Sequence, residues 1–321
     1  MESTRFVLSR GPPTHWYEPS DLALLKSWGS ADVRFAEETA ISPVILLALV
    51  ETYEITLSNG TSLTVVDPPS FPDFWRQLAA GKWEPHTLKA IEVTVGSGMT
   101  FVDIGGWIGP TAMVAAAYGA EVYSFEPDPT ALTAFRHHLG LNPHLAGRIH
   151  LDDRAVGAKS GVATIAAPSL GDSTSSLVKR QGEKKEIRVV SATEIVDQEW
   201  FRSAAMVKVD IEGGEFGLMR HLAPGLRPNR PPLLLSTHID YLADKAPASP
   251  LWMRRAVKGI RLGGHERLLW DLRFYRDWRV AHANGWQPLV RHEAARRLLL
   301  YRNQEFLLCA EGLSFGLKDR S

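Results

Sequence analysis

From Met99 to about residue 240 the sequence alternates short apolar runs with helix-like stretches, and no other feature limits the fold as strongly. "TFVDIG" reads as a strand and "PTAMVAAAYG" as a helix closed by a glycine. "EVYSFEP" is a second strand, and "DPTALTAFRHHLGLN" a helix with Pro129 near its start. "RIHLDDRAVG" continues as strand and turn, while "AMVKVDIEGGEF" and "PPLLLSTHID" are two further strands with their exits. The strands are apolar on both faces. That pattern predicts an α/β fold with a mostly parallel, Rossmann-like sheet covered by helices.

On the N-terminal side, "YEITLSNGTSLTVV" places β-branched runs on either side of Asn59-Gly60, the strongest short signal for a hairpin. Residues 1–70 are therefore expected to form an accessory region with a β-hairpin, and 71–321 the main domain. Helices are expected around Asp21 to Trp28 and from Phe71 to Val95. "GVATIAAPSLGDSTSSLVKR" reads as a strand and a long polar loop, and "DPPS" at Asp67 to Ser70 as a loop. The Trp-, Arg- and Leu-rich part from Pro250 to Arg302 is expected to be mostly helical. Its basic face suits solvent better than an acceptor pocket. "EFLLCAEG" is a short apolar strand.

Lys and Arg together number 36, as do Asp and Glu, so no net charge draws the chain to nucleic acid or an anionic membrane. Cys309 is the only cysteine, which rules out an intrachain disulfide and a cysteine-rich zinc cluster. "MESTRFVLSR" lacks the apolar run of a signal peptide, and "ISPVILLALV" is too short to span a bilayer. A reduced, cytoplasmic setting is expected, with no membrane partner.

The exit of the first strand carries the chemistry. Its glycines let the backbone approach a ligand, and the following helix offers free N–H groups. The spacing is not G-x-G-x-x-G. Asp103 ends the strand, Gly105, Gly106 and Gly109 form the turn, and Trp107 and Ile108 sit inside it. An acid beside the turn repels a pyrophosphate and suits a cation. S-adenosylmethionine, with a sulfonium, an ammonium and no phosphate, fits that description. Glu126, followed by Pro127 at the second strand exit, is placed to accept both ribose hydroxyls, as it would be for NAD. Asp153, followed by Arg154, stands at the third exit, where it is expected to meet the adenine amino group. Each acid taken singly is also a candidate helix cap or surface turn.

"TFVDIGGWIGPTAMVAAAYGAEVYSFEPDP", "AVG" after the third strand, "VKVDIEGGE" and the histidine of "LLLSTHID" together resemble the FkbM-type family of S-adenosylmethionine-dependent methyltransferases. The segment "FWRQLAAGKWEPHTLKAI" is similar to the lead-in of that family, so the resemblance spans roughly residues 71 to 240. It implies a class I methyltransferase sheet, usually seven-stranded with an antiparallel last strand. It also implies methyl transfer to a hydroxyl of a sugar, glycan or natural product, and places Glu84 near the methionyl end of the cofactor. Trp107 stands where the family commonly has Asn. Ser236 stands where a glutamate is usual, so no role for that glutamate carries over.

Asp210 and Glu212, at the fourth strand exit, and His238 and Asp240, after the fifth, are expected to converge beyond the carboxyl ends of the strands. One carboxylate or His238 would take the acceptor's proton. Alternatively, Asp210 with His238 or Asp240 would hold a divalent ion, Mg or Mn. In the structural alternative, Lys208 pairs with one carboxylate, Glu215 serves a helix start and His238 is packed. Three other functions stay open on the sequence: a nicotinamide-dependent oxidoreductase, a nucleic-acid or protein methyltransferase, and a cofactor-binding module without catalysis. Oligomeric state is not legible.

Overall fold

The computed structural model describes residues 7–10, 52–67, 71–167, 183–238, 266–282, 285–300 and 303–310. The expected helix at Asp21 to Trp28, the segment "ISPVILLALV", the loop "DSTSSL" and Asp240 lie outside the described residues.

The N-terminal region contributes β1 (Val7–Arg10), β2 (Thr52–Thr56) and β3 (Ser62–Val66), an antiparallel sheet. β2 and β3 pair across the Asn59-Gly60 turn as expected, with Gly60 at φ 83°. This hairpin shares a core with the main sheet. Ile55, Leu63 and Val65 are buried against the cluster that holds Trp75, Met113 and Phe135. Asn142 acts as an extra strand partner, giving its amide to the Thr64 carbonyl at 2.6 Å and accepting from the Thr64 N–H at 2.8 Å.

Two helices follow, α1 (Phe74–Ala79) and α2 (Pro85–Thr94), where a single helical stretch was expected. Gly81 (φ 66°), Glu84 (φ 36°) and Pro85 break it, because left-handed residues and a proline cannot continue the helical hydrogen-bond ladder.

The alternating block then runs β4 (Thr100–Ile104), α3 (Pro110–Ala117), β5 (Glu121–Phe125), α4 (Pro129–Leu141), α5 (Pro143–Ala146) and β6 (Ile149–Asp152). All eight residues of α3 are buried, as its alanine-rich sequence permits close packing on the sheet. Asp128 caps α4 by accepting from Thr130 and Ala131 N–H, with Pro129 at the first helical position. β7 (Ala155–Gly157), β8 (Gly161–Ala167) and β9 (Glu183–Ser191) form a small sheet ordered β7-β9-β8. The chain returns through α6 (Ala192–Val196), α7 (Glu199–Arg202), β10 (Ala204–Val209), α8 (Glu215–Asn229) and β11 (Leu233–His238).

The end of the chain adds β12 (Asp277–His282), β13 (Gly285–Leu289), α9 (Arg291–Leu300) and β14 (Asn303–Cys309). Within the stretch expected to be mostly helical, residues 277–289 are thus a hairpin, 266–271 and 291–300 are helical, and 250–265 lie outside the described residues. "DWRVAH" buries Trp278 and Val280 on alternate residues, and Asn-Gly recurs in the sequence at 284–285.

The central sheet has eight strands, ordered β13-β12-β14-β11-β10-β4-β5-β6. β11, β10, β4, β5 and β6 are parallel, and β14 is antiparallel to β11. Strand order reverses between β4 and β10, opening a crevice at their carboxyl ends. None of the described helices is long and apolar enough to cross a membrane.

Candidate active site

A cavity of about 310 Å³ occupies that crevice. Its apolar wall includes Phe71, Trp83, Trp107, Phe125, Val156 and Ile165, and its polar wall includes Glu84, Glu126, Lys208, Asp210, Glu212, His238 and Glu305.

The first turn is shaped by contact with the fourth strand. Gly105 (φ 94°) passes so close to β10 that a Cβ would lie 1.8 Å from the Asp210 carbonyl oxygen. No side chain fits there. Gly105 and Gly106 both donate their N–H to the Phe125 carbonyl, at 2.9 and 3.1 Å. Trp107 (φ 48°) then turns its N–H to Glu126 Oε2 at 2.8 Å. Gly109 packs on Phe135 at the start of α3, outside the cavity lining.

Asp103 does not face the cavity. It is fully buried behind the turn, accepting the Thr111 hydroxyl at 2.8 Å and lying 3.4 Å from Lys208 Nζ. The register explains this, because Lys208 on β10 is the residue directly opposite Asp103 on β4. Asp103 therefore holds the floor of the site. Lys208 reaches on to Asp210 at 3.5 Å and donates to the Gly105 carbonyl at 3.1 Å. Burial alone would push Lys208 down, but the carboxylates of Asp103, Asp210 and Glu84 outweigh it and hold the ammonium charged.

Glu126 lines the cavity with both oxygens oriented by backbone, Oε1 accepting from Asp128 N–H at 2.7 Å and Oε2 from Trp107. Burial pushes its carboxyl up to about 8 against those N–H groups. Each oxygen keeps a lone pair for a diol. Pro127 lines the same wall.

Asp153, expected at the adenine, and Arg154, expected at the cofactor, do not line this cavity. Asp153 pairs with Arg188 and lies 4.0 Å from Arg136, while Arg154 grips Asp152 through two nitrogens at 2.9 and 2.6 Å. They line a separate depression, with Tyr123 and Trp200 stacked at 4.1 Å beside them. β6 ends at Asp152 and β7 begins at Ala155, so the chain turns within two residues and points Ala155 and Val156 inward instead.

Across the cavity, Glu212 (φ 57°) and Gly213 (φ 99°) make the sharp turn into α8. Glu215 is completely buried. Its Oε1 accepts Ile211 N–H, Gly213 N–H and His238 Nδ1 at 3.2, 3.1 and 3.0 Å. It serves the helix start and orients the histidine at once. His238 Nε2 faces Glu212 at 3.5 Å and Asp210 at 3.8 Å. Burial would lower its pKa, but the Glu215 hydrogen bond and the charges of Asp210, Glu215 and Glu212 raise it to about 10. Burial likewise pushes Asp210 up, and Lys208 and His238 overcome it and hold the carboxyl below its usual range. At neutral pH Asp210 is an anion and His238 a cation.

Glu84 and Glu305 complete the polar wall. Burial pushes Glu84 up to about 8, with Glu305 and Asp210 adding to the shift. Glu305 rises to about 7 through burial and the charge of Asp210. The sequence shows Glu305 only as an acid at the start of the short apolar strand "EFLLC".

A parallel sheet reversing at β4 and β10, an antiparallel strand beside β11 and an acid at the second strand exit define the architecture of a class I methyltransferase. Residues 101–245 match the Methyltransferase FkbM domain. None of the curated proteins matches the sequence significantly. Among solved structures, the chain is similar to the FkbM methyltransferase of Methylobacillus flagellatus KT at 16% identity and TM-score 0.37, over 68% of this chain and 47% of that one. The aligned part is thus about half of that protein's length. A SAM-dependent methyltransferase of Agrobacterium tumefaciens aligns at 13% identity and TM-score 0.38, over 81% of this chain and 70% of the other. A geranyl diphosphate methyltransferase aligns at 11% and 0.39, over 92% and 99%. Similarities this low carry no argument about chemistry.

Proposed function

We propose that this protein transfers a methyl group from S-adenosylmethionine to a hydroxyl of a sugar, glycan or natural product. The observation that carries this reading is the excess of carboxylates around one cavity. Glu84, Glu126, Asp210, Glu212 and Glu305 line it, against Lys208 and His238. Such a wall disfavours the phosphates of a dinucleotide, and a cationic ligand would draw the raised carboxyls of Glu84, Glu126 and Glu305 into their ionised form. Asp210 Oδ1 and Glu84 Oε2 are sealed from solvent and accept no hydrogen bond, which a cationic ligand would remedy.

When bound, S-adenosylmethionine supplies a methyl group on an electrophilic sulfonium. Glu126 would hold the ribose hydroxyls, and the glycine turn would let the backbone close on the ligand. Asp210, already ionised, would accept the acceptor's hydroxyl proton as the new C–O bond forms. His238 is already protonated, so it would serve as a hydrogen-bond donor and fixed positive charge, held by Glu215. That removes it from the role of general base. Glu212 would share in orienting it.

A metal-assisted version has one specific observation in its favour. Asp210, Glu215 and His238 each offer a ligand atom, all within 4.8 Å of one another. A divalent ion, Mg or Mn, would have to displace the His238 proton to bind there. Chelation followed by add-back of Mg or Mn separates the two versions.

The test of the reading is calorimetric titration with S-adenosylhomocysteine, with NADH in parallel. Binding of the former alone supports methyl transfer and directs work to hydroxylated acceptors. Binding of NADH alone overturns it.

A further inference from the structure

The N-terminal hairpin and the glycine turn of the cavity are joined through one side chain, His138, in the last turn of α4. β3 is an outer strand of its sheet, so alternate residues along its free edge turn their N–H and C=O outward. α4 supplies the partners. Asn142 binds both backbone groups of Thr64 and also donates to the His138 carbonyl at 2.7 Å. One turn earlier, His138 Nε2 accepts the Val66 N–H at 3.3 Å, and the Val66 carbonyl accepts from Trp75 Nε1 at 2.8 Å. The other ring nitrogen, Nδ1, reaches the Ile108 carbonyl inside the turn at 3.0 Å. The ring is completely buried, and burial pushes its pKa down to about 4, so at neutral pH it carries one proton. On Nδ1 that proton serves Ile108 and leaves Nε2 open to Val66 N–H. On Nε2 it would go to the Val66 carbonyl at 3.1 Å, which Trp75 already serves, and a bare lone pair would face Ile108.

Ile108 follows Trp107, a bulky residue at φ 48°. A side chain of that size stays in the left-handed region only where its surroundings fix it. Here the turn is held on both sides. The Trp107 N–H is bound by Glu126 Oε2 at 2.8 Å, and the next carbonyl, of Ile108, is bound by His138. The rings follow the same path: Trp107 packs edge-on against the buried Phe74 with centroids 4.8 Å apart, and Trp75 packs edge-on against His138 at 5.2 Å.

Resting on the methyl-transfer reading above, we propose that His138 is a positioning residue for ribose binding: through the Ile108 carbonyl it holds the turn at Trp107, whose N–H aims Glu126 at the diol. His138 itself does not line the cavity. Its second nitrogen ties the same turn to β3, so the hairpin expected as an accessory region supports the site.

The two contacts can be removed one at a time in the full chain. His138→Asn places an amide donor near the Nδ1 position, which keeps Ile108 and loses Val66. His138→Gln reaches the Nε2 position, which keeps Val66 and loses Ile108. Both variants lose ring packing and are expected to melt below the wild type. Titrated with S-adenosylhomocysteine while folded, His138→Asn is expected to stay within about threefold of the wild type and His138→Gln to weaken by about tenfold. Most of the second loss is expected to vanish in a Glu126→Ala background, because the turn acts on the ribose through that carboxylate. Equal losses for the two variants, or full additivity with Glu126→Ala, would reduce His138 to packing and leave methyl transfer standing. The tautomer gives a reading that needs no ligand. A nitrogen NMR spectrum of the His138 ring is expected to show the proton on Nδ1, and a proton on Nε2 would overturn the proposal. If the wild type does not bind S-adenosylhomocysteine, methyl transfer falls and ribose positioning falls with it.

Discussion

Two depressions lie along the same sheet edge, both lined by acids near strand ends, and they have opposite electrostatics. In the cavity at the β4–β10 switch point the acids are buried and outnumber the cations, and Glu84, Glu126, Asp210 and Glu305 are all shifted from their ordinary range. In the depression beside β6, Asp152 pairs with Arg154 and Asp153 with Arg188, in partly exposed salt bridges. An acid at a strand exit is thus not a site by virtue of its position. Burial without a matching cation makes it reactive toward a ligand, whereas an arginine in solvent leaves it an ordinary surface charge.

The largest effect expected from this contrast is on turnover. Asp210→Asn should lower it by about 10²–10⁴-fold, the range for removing a proton acceptor, with little change in S-adenosylhomocysteine affinity. Wild-type turnover in that variant would take Asp210 out of the chemistry. Next comes stability. Lys208→Met leaves the buried Asp103 without its cation and Asp210 with His238 alone, and should cost about 3–5 kcal/mol in urea denaturation. A loss under about 1 kcal/mol would mean that Asp103 and Asp210 relax or protonate cheaply.

Glu126→Ala should weaken S-adenosylhomocysteine binding by about tenfold or more, while unchanged affinity would move the ribose away from β5. The pH dependence of stability should follow the raised groups. His238 has a folded pKa of about 10 against an ordinary 6.5, so its contribution is complete below about pH 6.5 and is lost as pH rises through about 10. Melting temperature should fall across that window, and His238→Gln should flatten the decline. The smallest effect is expected in the second depression. Asp153→Ala should cost under about 1 kcal/mol and leave ligand affinity intact. If it abolished binding, the contrast between the two depressions would collapse.

The five parallel strands, the Asn59-Gly60 hairpin, the capped start of α4 and the glycine turn were all legible in the sequence, because each depends on local patterning. So were Glu84, Glu126, Asp210, Glu212 and His238 as residues of the cavity. The C-terminal hairpin departs from the expected helix because Trp278 and Val280 are buried with period 2 and a second Asn-Gly, at 284–285, precedes the return strand. Asp103 and Asp153 stand at strand ends, but neither lines the cavity. Which way a carboxylate faces at a strand end depends on the neighbouring strand and on where the chain turns next.

The sequence by itself determined a doubly wound sheet with acids at its exits, since apolar periodicity and turn residues act over a few neighbours. Tertiary structure alone decided that Lys208 ties Asp103 to Asp210, that Glu215 holds His238 protonated and that Glu305 joins Glu84. Each of these pairings is made by strand register or by a contact between residues distant in the chain, and no local pattern encodes such a contact.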